Sequence, residues 1–401
     1  MQDFINKKIV LGVCGGISAY KVAFLIRDLR RLGAEIRVVM TKSAQAFISP
    51  LSLQALSGNE VRTELFDAKA ENGMGHIELA RLADFLVVAP ASANTIAKFA
   101  HGLADDLLST LYLATNAPIL LCPAMNKHMW EHPANLKNCD LLRERGVVFI
   151  GPDVGEQACG DYGLGRLSQI DSIINALRLF PIKGLLKGKK LMITAGPTRE
   201  AIDPVRFISN RSSGRMAYAL AEAAKTAQAE VILITGPTEL TPPSQIECHR
   251  VNTAKEMHQA VMTYFETGMI FIACAAVADY APVPQKHKIK KQKTALSLKL
   301  LPTVDILAEL AASKKAAYLM GFAAETDELI LHAKAKLEAK ELDMIVANQV
   351  GDGLGFESEN NQVTVITKSQ TIEIKLMNKV CLAAKLIAIL ATNLQNAPFK
   401  V

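Results

Sequence analysis

Along most of this chain, short apolar runs alternate with longer stretches whose apolar positions recur every three or four residues. The first pattern fits strands buried on both faces, and the second fits amphipathic helices. Their alternation predicts parallel sheets covered by helices on both sides. In the first half the predicted strands are Ile9–Val13, Ile36–Met40, Phe85–Ala89, Ile119–Cys122 and Val147–Ile150. Helices are predicted over Ser18–Leu32, Asn94–Phe99, Asp106–Thr115, Ala134–Glu144 and Gln169–Phe180.

The ten residues P-I-K-G-L-L-K-G-K-K (181–190) then break the pattern and read as a domain boundary. A second series follows at once. Its predicted strands are Lys190–Thr194, Glu230–Thr235, Met269–Ala273, Leu296–Leu301, Ala317–Ala323 and Met344–Ala347. Its predicted helices are Gly214–Ala227, Ala254–Phe265, Val304–Ala312 and Glu328–Lys340, and a hairpin (Gln362–Thr367 with Thr371–Lys375) precedes a last helix near Asn378–Thr392. The expected fold is α/β, with two doubly wound Rossmann-like domains over residues 1–180 and 190–401 and a linker at 181–189. Ligand loops then belong at the carboxyl ends of the strands.

Composition narrows the function. At 401 residues and half hydrophobic, the chain can build two cores. A net charge of +6 is modest for this length. It disfavours a dedicated nucleic-acid binder and suits anionic small molecules. The seven cysteines form no C-x-x-C pair, so neither a disulfide framework nor a structural zinc is expected. The apolar stretch Leu107–Met125 is interrupted by Ser109, Thr110, Asn116 and Pro118, so it reads as helix, turn and strand rather than a membrane span. With no signal-peptide or lipidation pattern, the expected location is the cytoplasm.

Four segments of the first half carry candidate chemistry. V-C-G-G-I-S-A-Y-K (13–21) runs from a strand through a glycine turn into a helix start, with Ser18 as the expected N-cap; it fits either a phosphate site or a plain tight turn. A-P-A-S-A-N-T (89–95) repeats the arrangement, and Ser92, Asn94 and Thr95 exceed what one cap needs. C-P-A-M-N-K-H-M-W (122–130) follows a strand end and holds Ala124, Met125 and Asn126. G-x-x-A-C-G-x-x-G-x-G-R (155–166) sets Cys159 among four glycines in a polar loop, a poor place for an inert buried thiol.

On these motifs, together with His76 in G-M-G-H-I-E-L, residues 7–180 resemble the homo-oligomeric flavin-containing cysteine decarboxylases. The resemblance implies FMN at the carboxyl ends of the strands, met by Gly15, Gly16, Ser18, Thr41, Ser92, Asn94, Thr95, Ser109, Ala124 and Met125. It implies that Asn126 holds the substrate carboxylate, that His76 takes the thiol proton and that Cys159, on a flexible clamp, returns a proton. Flavin is the electron sink that an unactivated cysteinyl carboxylate lacks.

In the second half, I-T-A-G-P-T-R-E-A-I-D-P-V-R-F-I-S-N-R-S-S-G-R-M (193–216) runs from a strand into a glycine turn and ends in S-S-G-R at a helix start. It lacks the G-x-G-x-x-G dinucleotide fingerprint. K-H-K-I-K-K-Q-K (286–293) is a lysine cluster, and Lys336 and Lys340 share a helix face. From about 188 to 395 the chain resembles phosphopantothenoylcysteine synthetases. The fusion is similar to bacterial bifunctional decarboxylase–ligases of coenzyme A biosynthesis.

The resemblance implies that CTP activates 4'-phosphopantothenate as an acyl-cytidylate, which cysteine then attacks. It puts Asn210 on the acyl intermediate and Arg206 near the substrate's anionic groups, and Lys288 turns the cytidylate over. Ala275, Asp279, Thr303, Val304, Asp305, Ile306, Phe322, Lys336 and Lys340 are implied along the CTP. Mg²⁺ or Mn²⁺ rides on the triphosphate, with Asp279 as the one protein ligand named. Trimeric flavin domains with sites at subunit contacts and dimeric ligase domains together imply a dodecamer. Two rivals remain at this point: an NAD(P)-dependent oxidoreductase with tandem nucleotide folds, and a flavin-binding regulatory protein.

Overall fold

The computed structural model describes residues 3–66, 75–290, 296–325, 328–349 and 358–396. The chain divides into two units, Met1–Leu177 and Arg178–Val401. Lys291, Gln292 and Lys293 of the lysine cluster lie outside the described residues, as do residues 73 and 74 before the His76 helix.

In the first unit, β1 (Lys8–Val13), β2 (Glu35–Met40), β3 (Phe85–Ala91), β4 (Ile119–Pro123) and β5 (Val148–Phe149) form one parallel sheet in the order β2-β1-β3-β4-β5. Strand direction of travel reverses between β1 and β3, so the loops after those two strands part and leave a crevice. Every residue of β3 is buried, as its unbroken apolar run requires. Phe99 stacks on Tyr112 with ring centroids 4.0 Å apart, within a core that also takes in Trp130. A hairpin absent from the predicted pattern, β6 (Asp153–Glu156) with β7 (Tyr162–Arg166), carries the glycine-rich segment.

The helix expected from Ser18 begins differently. Residues Ile17–Lys21 form a 3₁₀ turn with Gly16 at its cap position and no side-chain cap, and the α-helix proper is Val22–Arg31. Ser18 is therefore not an N-cap. Ser92 is one, its Oγ accepting from the Thr95 amide, and Asp106 forms a capping box with Ser109.

The second unit holds an eight-stranded sheet. Its strands are β8 (Lys190–Ala195), β11 (Glu230–Thr235), β12 (Glu247–Arg250), β13 (Ile270–Ala273), β16 (Tyr318–Glu325), β17 (Met344–Gln349), β18 (Asn360–Thr367) and β19 (Thr371–Asn378). Two short ribbons stand apart, β9 (Arg199–Ala201) with β10 (Phe207–Ser209) and β14 (Tyr280–Pro282) with β15 (Leu300–Pro302). The sheet order is β12-β11-β8-β13-β16-β17-β18-β19, parallel up to β17 and antiparallel beyond.

Alternation sorts the side chains. Leu191, Ile193, Val231 and Leu233 face one core, packed with helices Arg215–Thr226 and Lys379–Asn396. Met192, Ile232 and Ile234 face the other, packed with helices Ala254–Tyr264, Ile306–Ser313 and Leu329–Ala339. Each such buried side chain contributes about 1.5–3 kcal/mol.

One predicted strand needs correction. Leu296–Leu301 is not a strand of the main sheet; only Leu300–Pro302 pairs, with Tyr280–Pro282, and Leu296, Leu300 and Leu301 are exposed. Its alternation resembles a half-buried strand, but its pairing is confined to a two-stranded ribbon apart from the main sheet. The linker expected at 181–189 packs with the second unit. Ile182 and Leu186 are buried in the second unit's core, and the Leu186 amide donates to the Ala227 carbonyl. Lys183 and Gly184 occupy the turn between those two apolar anchors, and Lys187, Gly188 and Lys189 follow the second.

Candidate functional site

The crevice between β1 and β3 opens into a cavity of about 500 Å³, within the range of small-molecule sites. Gly15, Gly16, Ser18 and Ser92 line one side, and Ala124, Met125, Asn126 and Cys159 line the other. A Cβ on Gly16 would meet no atom within 4 Å, so this backbone opens freely onto the cavity.

Asn126 is placed by its own helix. As N-cap of Lys127–Glu131, its Oδ1 accepts from the His128 amide at 2.8 Å, which turns Nδ2 outward. That nitrogen donates to Asp161 Oδ2 at 2.8 Å and to Cys159 Sγ at 3.2 Å. Cys159 Sγ in turn donates to Asp161 Oδ2 at 3.4 Å. Hydrogen bonds from Asn126 and Cys159 hold the Asp161 carboxyl below its usual range.

The hairpin is fastened by backbone. The Met125 amide donates to the Gly165 carbonyl at 3.0 Å, and the Lys127 amide donates to Gln157 Oε1 at 3.0 Å. Any side chain at Gly165 would collide with the Met125 carbonyl and Gln157. An amide, a thiol and a carboxylate thus meet at the mouth of a glycine-lined cavity, an arrangement that can hold an anion and move a proton.

The remaining residues expected here sit elsewhere. Thr95 is buried, bonded to Cys14 Sγ at 3.1 Å, and Ser109 is buried in its capping box. Thr41 stands at the N-cap position of the 3₁₀ turn Lys42–Ala46 without a side-chain cap bond, its Oγ1 within hydrogen-bond distance of Ser43 Oγ. Asn94 is exposed. His76 lies on helix Gly75–Leu82, half-buried, with Nδ1 buried and without a partner among the described residues, and it does not line this cavity.

In the second unit the site forms at the carboxyl ends of β8, β13, β16 and β17, around the turn Ser212–Gly214. Gly214 caps helix Arg215–Thr226 with no side chain on its free amides, which suits an anion. On one side of the turn, Arg215, Ala275, Phe322, Asn348 and Lys379 line a hollow of about 120 Å³. On the other, Arg199, Asn210, Arg211 and Thr238 line a hollow of about 460 Å³.

Asn210 Nδ2 donates to the Ala276 carbonyl at 2.9 Å and to that of Val277 at 3.3 Å. Asn348 is 9 % exposed, and its Oδ1 has no partner among the described residues. Burial and Arg215 lower the pKa of Lys379, and burial pushes the Cys274 thiol up to about 12.

The other expected ligase residues form two further groups. Thr303 Oγ1 donates to the Ala278 carbonyl at 2.6 Å and its amide to that of Asp279, whose side chain is exposed. Asp305 caps helix Ile306–Ser313 and pairs with Lys340. Burial opposes ionisation of Asp305, but hydrogen bonds from Lys340 and Ala308 outweigh it and lower its pKa. Val304 is exposed, Ile306 buried and Lys336 half-buried.

Arg206 was expected near the substrate's anionic groups, and here its side chain meets a neighbouring loop. Its guanidinium is committed to Asp203 and to the Ile289 carbonyl, next to the exposed Lys288. No group of three or more His, Cys, Asp or Glu residues among the described residues is placed to hold a metal.

Asp161, Asn348, Lys379 and Asp203 are absent from the sequence-based assignments. Asn348 had a signal, being the first polar residue after the apolar run of β17. Asp161 stands two residues after Cys159.

A family model described as Flavoprotein matches residues 2–180, and one described as DNA/pantothenate metabolism flavoprotein C-terminal domain matches residues 186–394. The chain is 48% identical to the coenzyme A biosynthesis bifunctional protein CoaBC of Haemophilus influenzae, over 95% of this chain and 96% of that protein. With CoaBC of Bacillus subtilis the identity is 46%, over 93% and 94% respectively. With that of Escherichia coli K12 it is 48%, over 90% of each. A crystal structure of the C-terminal domain of CoaBC is similar at 40% identity and a TM-score of 0.45, covering 54% of this chain and 100% of that one.

Proposed function

Since the chain belongs to the family of coenzyme A biosynthesis bifunctional proteins, we infer that its two units catalyse consecutive steps of that synthesis. The protein is a phosphopantothenate–cysteine ligase and a phosphopantothenoylcysteine decarboxylase, with the flavoprotein unit at the N-terminus and the ligase unit at the C-terminus. We place the functional domains at 1–180 and 190–401.

In the ligase step, the carboxylate of 4'-phosphopantothenate attacks the α-phosphorus of CTP, forming the acyl-cytidylate and releasing pyrophosphate. The amine of cysteine then displaces CMP. Asn210 holds the acyl group, and Lys288 offsets developing charge on the cytidylate. Ala275 and Phe322 line the nucleotide's hollow, with Lys336 and Lys340 toward its phosphates. Asp279 is the one chain residue proposed as a metal ligand. With no three-donor cluster among the described residues, Mg²⁺ or Mn²⁺ enters with the triphosphate and its waters.

For the decarboxylase step, the observation that carries the reading is the Asn126–Cys159–Asp161 contact at the mouth of the cavity. FMN fits that cavity: Gly16 opens onto it unobstructed, and Ser18 and Ser92 offer hydroxyls. Bound there, it supplies the reversible oxidation that makes the cysteinyl carboxylate labile. Asn126 Nδ2 takes the substrate carboxylate in place of Asp161 without adding a full charge. Cys159 Sγ gives the proton that completes the product, and the hairpin shuts out water. His76 acts as the base for the substrate thiol. Its position off this cavity's lining agrees with a trimer whose sites lie at subunit contacts, and dimeric ligase units extend that trimer to a dodecamer.

The purified protein should be yellow or take up FMN, and it should release pyrophosphate from CTP only when 4'-phosphopantothenate is present. A colourless protein that cannot take up FMN sinks the first half of this reading. Pyrophosphate release with ATP and not CTP sinks the nucleotide assignment.

A further inference from the structure

The hairpin of β9 and β10 ends in a turn, residues 202–206, that grips a distant segment. Inside the turn, Asp203 Oδ1 accepts from the amides of Val205 and Arg206, both at 2.9 Å. Its other oxygen serves a different purpose. Oδ2 accepts from Arg206 Nε at 3.0 Å, from Arg206 Nη2 and from the Ile289 amide at 3.1 Å. Arg206 Nη2 also donates to the Ile289 carbonyl at 2.7 Å, and the Gln285 amide donates to the Ile202 carbonyl at 2.9 Å.

Both main-chain groups of Ile289 are therefore held by one ion pair, as a neighbouring strand would hold them. The Asp203 side chain is fully buried, and these hydrogen bonds keep its carboxyl far below the usual range. Burying a carboxylate is costly unless it is this well satisfied. At the other end of the same hairpin, Ser209 Oγ donates to the Thr198 carbonyl at 2.7 Å, and Asn210 follows directly.

We propose that Asp203 is a positioning residue for the ligase reaction: with Arg206 it latches Ile289, and so fixes Lys288 relative to Asn210 through a single rigid hairpin. This rests on the reading that Lys288 and Asn210 act on the acyl-cytidylate. The two carboxylate oxygens divide the work. Oδ1 shapes the turn and Oδ2 holds the Lys288 segment. Asp203→Asn can keep the first function, because its carbonyl oxygen still accepts from the turn. It loses the second, because its NH₂ then faces the Arg206 guanidinium and the Ile289 amide, donor against donor. Arg206→Lys gives an independent break, since an ammonium lacks the planar fork that bridges Asp203 and Ile289.

The test uses the full chain and two readouts. One is hydrogen exchange of residues 285–290. The other is pyrophosphate release from CTP with 4'-phosphopantothenate. Asp203→Asn and Arg206→Lys should each raise exchange there by roughly tenfold or more. Each should lower kcat for pyrophosphate release roughly 10- to 100-fold, with the KM for CTP changing much less. Lys288→Gln should lower the same kcat without raising exchange. Faster exchange with an unchanged kcat in both latch variants would leave a structural brace only and overturn the proposal. So would a slow enzyme with unchanged exchange. Full activity of Lys288→Gln would instead remove the reading beneath it, whatever the latch variants do. If Asp203→Asn fails to fold, Arg206→Lys alone decides.

Discussion

The two candidate sites are assembled by different means. In the first unit, Asn126, Cys159 and Asp161 touch one another directly, with contacts between 2.8 and 3.4 Å. In the second, Asn210, Lys288 and the Asp305–Lys340 pair sit on separate loops, each fixed by contacts to main chain or within its own group. In the first site these three groups already meet before substrate arrives. The second must be collected around its ligands, so residues that never touch a ligand set its geometry. Loss of one side chain should therefore abolish chemistry in the first site without loosening it, and should act through placement in the second.

The largest effect expected is that of Cys159→Ala. The proton donor goes while the Asn126–Asp161 bond stays, so turnover of 4'-phosphopantothenoylcysteine should fall by about 10²–10⁴. Carbon dioxide should appear at no more than about one per site, because its loss precedes the protonation. Continuous turnover by this variant would show that the proton comes from elsewhere. Next comes Asn210→Asp. It sets a carboxylate oxygen against the carbonyls of Ala276 and Val277, which the amide now satisfies as a donor. Pyrophosphate release from CTP should drop roughly 100-fold, and normal release would break the contrast drawn here.

A smaller effect tests the scaffold beneath the first site. Asp106→Ala removes the capping box with Ser109 and the pairing to Lys98. Denaturant titration of that unit should show a loss of about 0.5–2 kcal/mol. The smallest effect concerns pH. Asp161 has a depressed pKa in the folded protein, so its contribution to clamp order is complete above the unfolded value of about 3.9. It is lost only as pH falls through the depressed value. Exchange protection of the clamp should therefore be flat between about pH 5 and 8, and a transition near neutrality would contradict the assignment of Asp161 as its acceptor.

Much of both sheets was legible in the sequence because buried parallel strands must be apolar on both faces. Lys190–Ala195 and Glu230–Thr235 announce themselves this way. Glu247–Arg250 does not, because it is a polar edge strand held only by its neighbour Glu230–Thr235. The clamp hairpin and the 199–209 hairpin were also silent, since their pairing depends on glycines and on distant partners rather than on an apolar period.

The site shows the same division. Glycine turns and the asparagine after a strand end can be read locally. That Asp203 reaches Ile289, or that Lys379 is buried beside Asn348, depends on which segments the sheet order brings together.

One coupled assay decides whether the two units act in sequence. The protein, loaded with FMN, is given 4'-phosphopantothenate, cysteine and CTP with Mg²⁺, and pyrophosphate and carbon dioxide are followed together. Both should appear in equal amounts, carbon dioxide should lag pyrophosphate, and neither should form without CTP. Carbon dioxide without pyrophosphate, or pyrophosphate never followed by carbon dioxide, would contradict it.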